Sequence, residues 1–166
     1  MFKKIALFAF LLIPAFSFAQ NPKLGHFSYN EVMPAMPEYA QMTDSLQKQA
    51  AIFEGEMKIL NEELQQKYTS LLEQQDTLIE SIRIRRHQDV QELSQRVSNF
   101  QQQAQQSQEL LYNNLSGEIV QKIQKAAQEV GTENSFTYIF DANILWFSST
   151  QSIDATPLIK KKLGIQ

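Results

Sequence analysis

Residues 56–116 contain neither proline nor glycine, and this uninterrupted stretch constrains the fold more than any other feature of the sequence. Apolar side chains in and just before its first half are spaced alternately four and three residues apart: Leu46, Ala50, Phe53, Met57, Leu60 and Leu64. The second half repeats this spacing at Val90, Leu93, Val97, Phe100, Ala104 and Leu111, with Ser107 in the one polar position. Such spacing is typical of helices that pack along a coiled-coil seam.

The seam is interrupted near the middle of the stretch. Arg86 and Asp89 fall where a continued seam would place apolar side chains, and the segment Thr77–Glu80 has the form of a helix-starting capping box. We therefore predict two antiparallel helices, at residues 41 to about 75 and about 77 to 130, that form an arm roughly 50 Å or more long. The alternative is one uninterrupted helix of about ninety residues in a parallel coiled coil.

The segments on either side of the helical region, residues 20–40 and 131–166, hold four of the five prolines and short runs typical of β-strands. The predicted strands are Leu24–Tyr29, Phe136–Phe140 and Ile144–Phe147. Asp141, Ala142 and Asn143 have the turn chemistry of a β-hairpin between the last two strands. Pairing the first strand with this hairpin makes the arm one long excursion from a small sheet.

The predicted fold is α+β, with a small β-sheet body and a long antiparallel α-helical coiled-coil arm. The body comprises residues 20–40 and 131–166, and the arm comprises residues 41–130 with its tip near 76–88. Three short strands are at best marginally stable in water, so we expect self-association to bury the large aromatic side chains of the body. The candidate residues of this oligomer core are Phe27, Tyr29, Phe136, Tyr138, Phe140 and Trp146.

Residues 1–19 have the composition of a signal peptide. Lys3 and Lys4 precede an apolar run from Ile5 to Phe16, and small residues near Ala19 fit a cleavage site. The apolar run is shorter than the about 20 residues of a membrane-spanning helix. We predict an exported protein cleaved after Ala19, with a permanent membrane anchor as the alternative.

Charge and composition exclude several classes of protein. Cleavage would remove two lysines and change the formal net charge from −3 to −5, which argues against nucleic-acid binding. The chain has no cysteine and two histidines, His26 and His87, which lie in the first strand and at the helix break. No metal-ligand motif or glycine-rich phosphate loop occurs, so we predict no enzymatic activity, no cofactor and no metal.

Four features in this order resemble the Skp/OmpH family of periplasmic chaperones. The first strand is followed by Pro37-Glu38-Tyr39, and a long glutamine-rich helical region comes next. Tyr138-Ile139-Phe140-Asp141 then precedes the predicted hairpin, and the segment Thr156–Gly164, with sequence TPLIKKKLG, closes the chain. The resemblance covers nearly the whole sequence after the signal peptide.

The resemblance implies a periplasmic homotrimer in which a small β-barrel body carries three helical arms around a central cavity. Such proteins hold unfolded outer-membrane β-barrel proteins in that cavity without ATP and prevent their aggregation. One departure concerns charge, because well-known members are strongly basic whereas this chain is acidic. Any electrostatic attraction of clients or lipids must therefore be local.

Two groups of arm residues are candidates for contact with other molecules. The candidate client contacts are apolar or aromatic residues beyond the seam: Tyr68, Leu72, Ile79, Leu110 and Tyr112. The alternative is that they broaden the contact between the two helices. Arg83, Arg85 and Arg86 are candidate tip contacts to anionic lipid or to clients, with solvated arginines at a helix start as the alternative.

A different function is compatible with the same helices. A structural coiled-coil spacer or adaptor of the cell envelope would use the arm as a ruler between two components. It would bind one folded partner and have little affinity for unfolded chains.

Overall fold

The computed structural model of the chain describes residues 22–74 and 76–165, so the predicted signal peptide lies outside the described residues. The fold is α+β, as predicted, with a three-stranded sheet and a long helical arm. The elements in order are β1 (Leu24–Phe27), α1 (Tyr29–Ala35), α2 (Pro37–Gln74), α3 (Glu80–Glu133), β2 (Tyr138–Asp141), a 3₁₀ helix (Ala142–Ile144), β3 (Ile153–Asp154) and α4 (Thr156–Leu163).

The arm consists of α2 and α3 packed antiparallel. The 38 residues of α2 span about 57 Å and the 54 residues of α3 about 81 Å, at a rise of about 1.5 Å per residue. The rings of Phe53 and Phe100 meet edge to face, with centroids 5.9 Å apart. The polar seam residue Ser107 is matched by Gln49, whose Nε2 lies 3.1 Å from the serine Oγ. These contacts within one chain exclude the single uninterrupted helix.

The turn at the arm tip differs from the prediction, because α3 begins at Glu80 rather than at Thr77. No side-chain hydrogen bond caps the start of α3. The Thr77 hydroxyl donates to the carbonyl oxygen of Gln74 at 3.0 Å and so satisfies the end of α2 instead. The capping-box prediction was therefore wrong, since the preceding helix offered the threonine a competing acceptor.

The sheet places β1 in the centre, with β2 and β3 on either side. Both pairings are parallel, and Leu24 is opposite Tyr138 while His26 is opposite Asp154. The first strand thus pairs with strands more than a hundred residues later, as predicted. Parallel neighbours require a long crossover connection, and here the whole arm forms the crossover between β1 and β2.

The predicted hairpin is absent from the described residues. The Asp141 side chain accepts a hydrogen bond from the backbone N–H of Asn143 at 3.1 Å, and the Leu145 N–H bonds to the carbonyl of Ala142 at 3.2 Å. These bonds close a 3₁₀ turn that directs the chain away from β2. Residues 144–147 consequently do not return as an antiparallel strand, and β1 takes the pairing position beside β2.

The first strand is shorter than predicted because the chain enters α1 directly after Phe27. The Ser28 carbonyl accepts from the N–H groups of Glu31 and Val32, each at 3.1 Å, which starts the helix. Val32 is fully buried by this turn. The main core therefore lies where α1, the C-terminal end of α3 and α4 meet. Its buried residues are Phe27, Val32, Met33, Met36, Met42, Ile119, Ile123, Ala126, Val130, Ala155 and Ile159.

The last helix ties the two ends of the chain together. The Ala155 N–H donates to the His26 carbonyl at 2.7 Å, and the Ser28 N–H donates to Thr156 Oγ1 at 2.9 Å. Thr156 is the first residue of this helix. Its own N–H donates to Asp154 Oδ1 at 2.9 Å, which pairs one of the N–H groups left without a helical partner at the start of α4.

Candidate functional site

The body exposes aromatic side chains along β2, one of the two edge strands of the sheet. Side chains alternate across this strand: Ile139 packs against the core, while Tyr138 and Phe140 point outward. Their rings stack with centroids 5.8 Å apart, and 60% of Tyr138 and 38% of Phe140 are exposed. An edge strand with outward aromatic rings offers both hydrogen-bonding groups and apolar area to another chain.

The loop after β2 extends this apolar surface. Trp146 is fully exposed, and Phe147 and Ile144 are also largely exposed. Scattered exposed apolar residues are ordinary, but a tryptophan and a phenylalanine side by side next to aromatic β2 form a concentrated patch. We call the set Tyr138, Phe140, Ile144, Trp146 and Phe147 the aromatic edge.

The six candidate residues of the oligomer core divide into two groups in the single chain. Phe27 is buried in the chain's own core, and Tyr29 and Phe136 pack against that core. The other three, Tyr138, Phe140 and Trp146, belong to the aromatic edge. The contact of these six residues with a second chain stays a prediction.

An open groove of ≈ 650 Å³ runs between β2 and the lower part of α3. Its lining includes Tyr29, Val120, Gln124, Gly131 and Tyr138. Burial raises the pKa of Tyr29, and the neighbouring Tyr112 and Asp141 raise it further. The Tyr29 hydroxyl therefore keeps its proton at neutral pH and remains a hydrogen-bond donor in the groove.

The five candidate client contacts are all exposed on the arm. The exposed fraction of Tyr112, Tyr68, Leu72, Leu110 and Ile79 lies between 47% and 68%. Sequence reasoning did not name Ile52, Ile59 and Val120, which are similarly exposed. Ile52 and Ile59 are seven residues apart, so both lie on one outer face of α2. This spacing in the sequence could have indicated them as exposed apolar residues.

At the arm tip the three arginines have different surroundings. Arg83 forms an ion pair with Glu80. Arg86 Nη1 donates to Gln74 Oε1 at 2.5 Å, and so joins the two helices beneath the turn. Of the arginines, Arg83 and Arg86 thus have partners within the chain, and exposed isoleucines 79, 82 and 84 lie beside them.

The two histidines are far apart in the fold. His26 Nδ1 lies 2.8 Å from Ser152 Oγ in the body, whereas His87 lies on α3 near the tip. Across residues 22–74 and 76–165, carboxylate and histidine side chains form no group of three or more suited to hold a metal ion. Within the same part of the chain, none of the helices combines the length and apolar composition of a membrane-spanning segment.

Comparisons with known proteins agree with this architecture. Among solved structures, the chain is similar to the crystal structure of a candidate outer membrane chaperone (OmpH-like) from Caulobacter crescentus CB15. The TM-score is 0.72 at 13% sequence identity, and the alignment covers 86% of this chain and 83% of that chain. At this identity the likeness shows the fold alone. None of the curated proteins compared with the chain matches it.

The sequence also matches the model of a protein family described as outer membrane protein (OmpH-like), over residues 23–163. The match begins just before β1 and ends with the last residue of α4. It therefore spans the body and the whole arm rather than the coiled coil alone. The chain belongs to this OmpH-like family, the Skp/OmpH family that its sequence resembles.

Proposed function

We propose that this protein is an ATP-independent periplasmic holdase chaperone. It binds unfolded outer-membrane β-barrel proteins in a cavity between helical arms and prevents their aggregation. The observation that carries the proposal is the exposed apolar surface on a long arm whose own seam is already filled. Side chains such as Tyr68, Leu72 and Tyr112 are 47% to 49% exposed, so they remain available to another chain.

The cavity requires more than one arm, and we propose a homotrimer held together by the body. The aromatic edge supports this assembly because it joins an unpaired strand edge to exposed rings, including the fully exposed Trp146. Burying such rings is favourable by about 25 cal/mol per Å² of apolar area. Assembly through the body leaves the arms free to surround a client.

Loose apolar contacts suit this function because they are not directional. Many weak contacts along an arm bind chains of different sequence without selecting one of them. The arms have separated apolar residues among glutamines rather than one large apolar patch, which limits aggregation of the chaperone itself.

The test is the aggregation of an outer-membrane β-barrel protein diluted from urea, followed by light scattering without nucleotide. We expect the purified mature protein to suppress aggregation when its trimer is in excess over the client. Absence of suppression at that ratio would refute the proposal. A pulldown that recovers a single folded partner, with no affinity for unfolded chains, would instead favour the coiled-coil spacer.

The assembly is tested separately by sedimentation equilibrium. We expect a trimer for the wild type and dissociation for the double variant Tyr138→Ser, Trp146→Ser. The matched control is Ile52→Ser, Ile59→Ser, which removes exposed apolar side chains from the arm and should leave the trimer intact. A monomeric wild type, or equal dissociation of both variants, would contradict assembly through the aromatic edge.

A further inference from the structure

We propose that one long face of the arm binds extended client polypeptide, through hydrogen bonds from glutamine side chains to the client backbone. The inference rests on the proposed holdase function and assigns its binding surface. The surface, which we call the amide face, consists of Gln47, Asn61, Gln65, Tyr68, Leu72, Gln91, Ser94, Ser98, Gln101, Gln105, Gln108 and Tyr112.

The coiled-coil pattern places these residues on one side of both helices. In an antiparallel pair, the residues that directly follow the seam residues of each helix lie on the same side of the seam. The structure agrees, because Asn61 of α2 and Gln101, Gln105 and Gln108 of α3 line one shallow groove across the seam. A second groove on the opposite side is lined by Gln66, Lys67, Ser70, Arg86 and Asp89.

The two sides differ in net charge. Along residues 47–74 of α2 and 89–112 of α3, the charged residues of the amide side are Glu54 and Lys58, whose formal charges cancel. The opposite side, which we call the acidic face, carries five carboxylates and one arginine over the same residues: Glu56, Glu63, Glu73, Asp89, Glu92 and Arg96. The cations Lys67 and Arg86 also line the groove on this side, so its net charge is negative but smaller than the number of its carboxylates.

This separation matters because the chain as a whole is acidic. An extended client segment of negative charge would be repelled by the acidic face, and burying any charge without a partner is unfavourable. The amide face carries only two charges of opposite sign, Glu54 and Lys58. Its near-neutral net charge repels neither acidic nor basic segments, which suits the strands of outer-membrane β-barrels, where apolar residues alternate with polar ones.

Glutamine side chains match the chemistry of an unfolded backbone. Each client residue other than proline presents one N–H donor and one carbonyl acceptor, and a glutamine amide offers both an acceptor oxygen and two N–H donors. A carboxylate offers only acceptors, and a lysine offers only donors. A row of amides can therefore pair with backbone groups of any sequence.

Apolar contacts accompany the amides on the same face. Tyr68 and Leu72 lie near its outer end, and Tyr112 lies near its lower end, each close to half exposed. From Tyr112 the face continues by steps of four residues along α3 to Val120 and Gln124, which line the groove beside β2. The amide face and the groove between β2 and α3 thus form one continuous surface.

The test compares two triple variants with the same change in charge. The amide-face variant is Gln101→Glu, Gln105→Glu, Gln108→Glu. The control variant is Gln102→Glu, Gln103→Glu, Gln106→Glu. It changes exposed glutamines of the same helix segment that point away from the amide face. Each variant replaces three amide groups by three carboxylates. Client affinity is measured by fluorescence titration of a labelled, urea-unfolded outer-membrane β-barrel protein.

We expect the amide-face variant to raise the client Kd at least about tenfold, and the control to change it less than about twofold. Relative to the control, which adds the same charge, the loss should be similar for a basic and an acidic client, because the missing interaction is an N–H donor to client carbonyls. Equal effects of the two variants, or a loss confined to the acidic client, would overturn the assignment. If the wild type does not bind unfolded client, the holdase function itself fails.

A photo-crosslinking amino acid gives a second measurement that does not alter the charge. Placed at Gln105 it lies on the amide face, and placed at the neighbouring Gln106 it lies on the other side of the same helix. We expect at least about fivefold more cross-linked client from position 105. Equal yields from both positions would also overturn the assignment.

Discussion

Replacing Thr156 by valine tests how the two ends of the chain are joined. Thr156 is only 5% exposed, and its Oγ1 accepts the hydrogen bond from the Ser28 N–H at 2.9 Å. Ser28 is the residue at which β1 passes into α1, and Thr156 begins α4. Valine has nearly the same shape as threonine but offers no acceptor. The substitution therefore removes one polar interaction and changes little of the packing.

The expected loss of unfolding free energy follows from the unpaired donor. A buried N–H without a partner costs about 1–3 kcal/mol, and a valine at this position leaves the Ser28 N–H in that state. The matched control is Thr156→Ser, which keeps the oxygen and loses one methyl group, worth about 0.8 kcal/mol. We expect the valine variant to be the less stable of the two.

The assay is urea unfolding followed by far-UV circular dichroism, at one fixed protomer concentration because self-association would add to the apparent stability. The slope of free energy against urea should be unchanged if both variants unfold from the same structure. A valine variant as stable as the wild type, or a serine variant less stable than the valine variant, would refute the role of the hydrogen bond.

Two further predictions concern the core and the response to acid. Ile119→Ala should lower the unfolding free energy by about 2–5 kcal/mol because Ile119 is 1% exposed, while Val120→Ala, at an exposed neighbour, should have little effect; equal losses in urea unfolding would contradict this core. The hydrogen bond from Lys122 lowers the pKa of Glu38, so its stabilising contribution is present above the unfolded-state pKa and is lost as the pH falls through the lower folded-state value. Glu38→Gln should make unfolding less sensitive to pH below about 4.5, and a variant that follows the wild-type acid curve would contradict this contribution.

The arm could be predicted from sequence because its structure depends on local periodicity. Residues spaced by four and three can share one helix face only if the backbone is helical, and the filled seam includes Phe53 and Phe100 in direct contact. The break at Arg86 also indicated a turn nearby. The exact start of α3 was not predictable, because Thr77 had two acceptable hydrogen-bonding partners and the end of α2 decided between them.

The amide and acidic faces were already present in the sequence as positions of a repeat. They form surfaces because the antiparallel packing places equivalent repeat positions of α2 and α3 on the same side of the arm. The groove shared by Asn61 and Gln105 shows this arrangement. The candidate client contacts Tyr68 and Tyr112 fall on this side. Leu110 falls on the other side, and single-residue reasoning could not separate them.

The body shows the limit of sequence reasoning. The composition of the two terminal segments indicated strands that close the arm, and β1 does pair with β2 across the whole arm. The hairpin prediction failed because the Asp141 side chain formed a 3₁₀ turn, and β1 supplied the pairing instead. Sequence alone determined the two long helices of the arm, since their hydrogen bonds are local. Only the tertiary structure decided the order of the strands, because backbone pairing between distant segments depends on which competing edge is brought within reach.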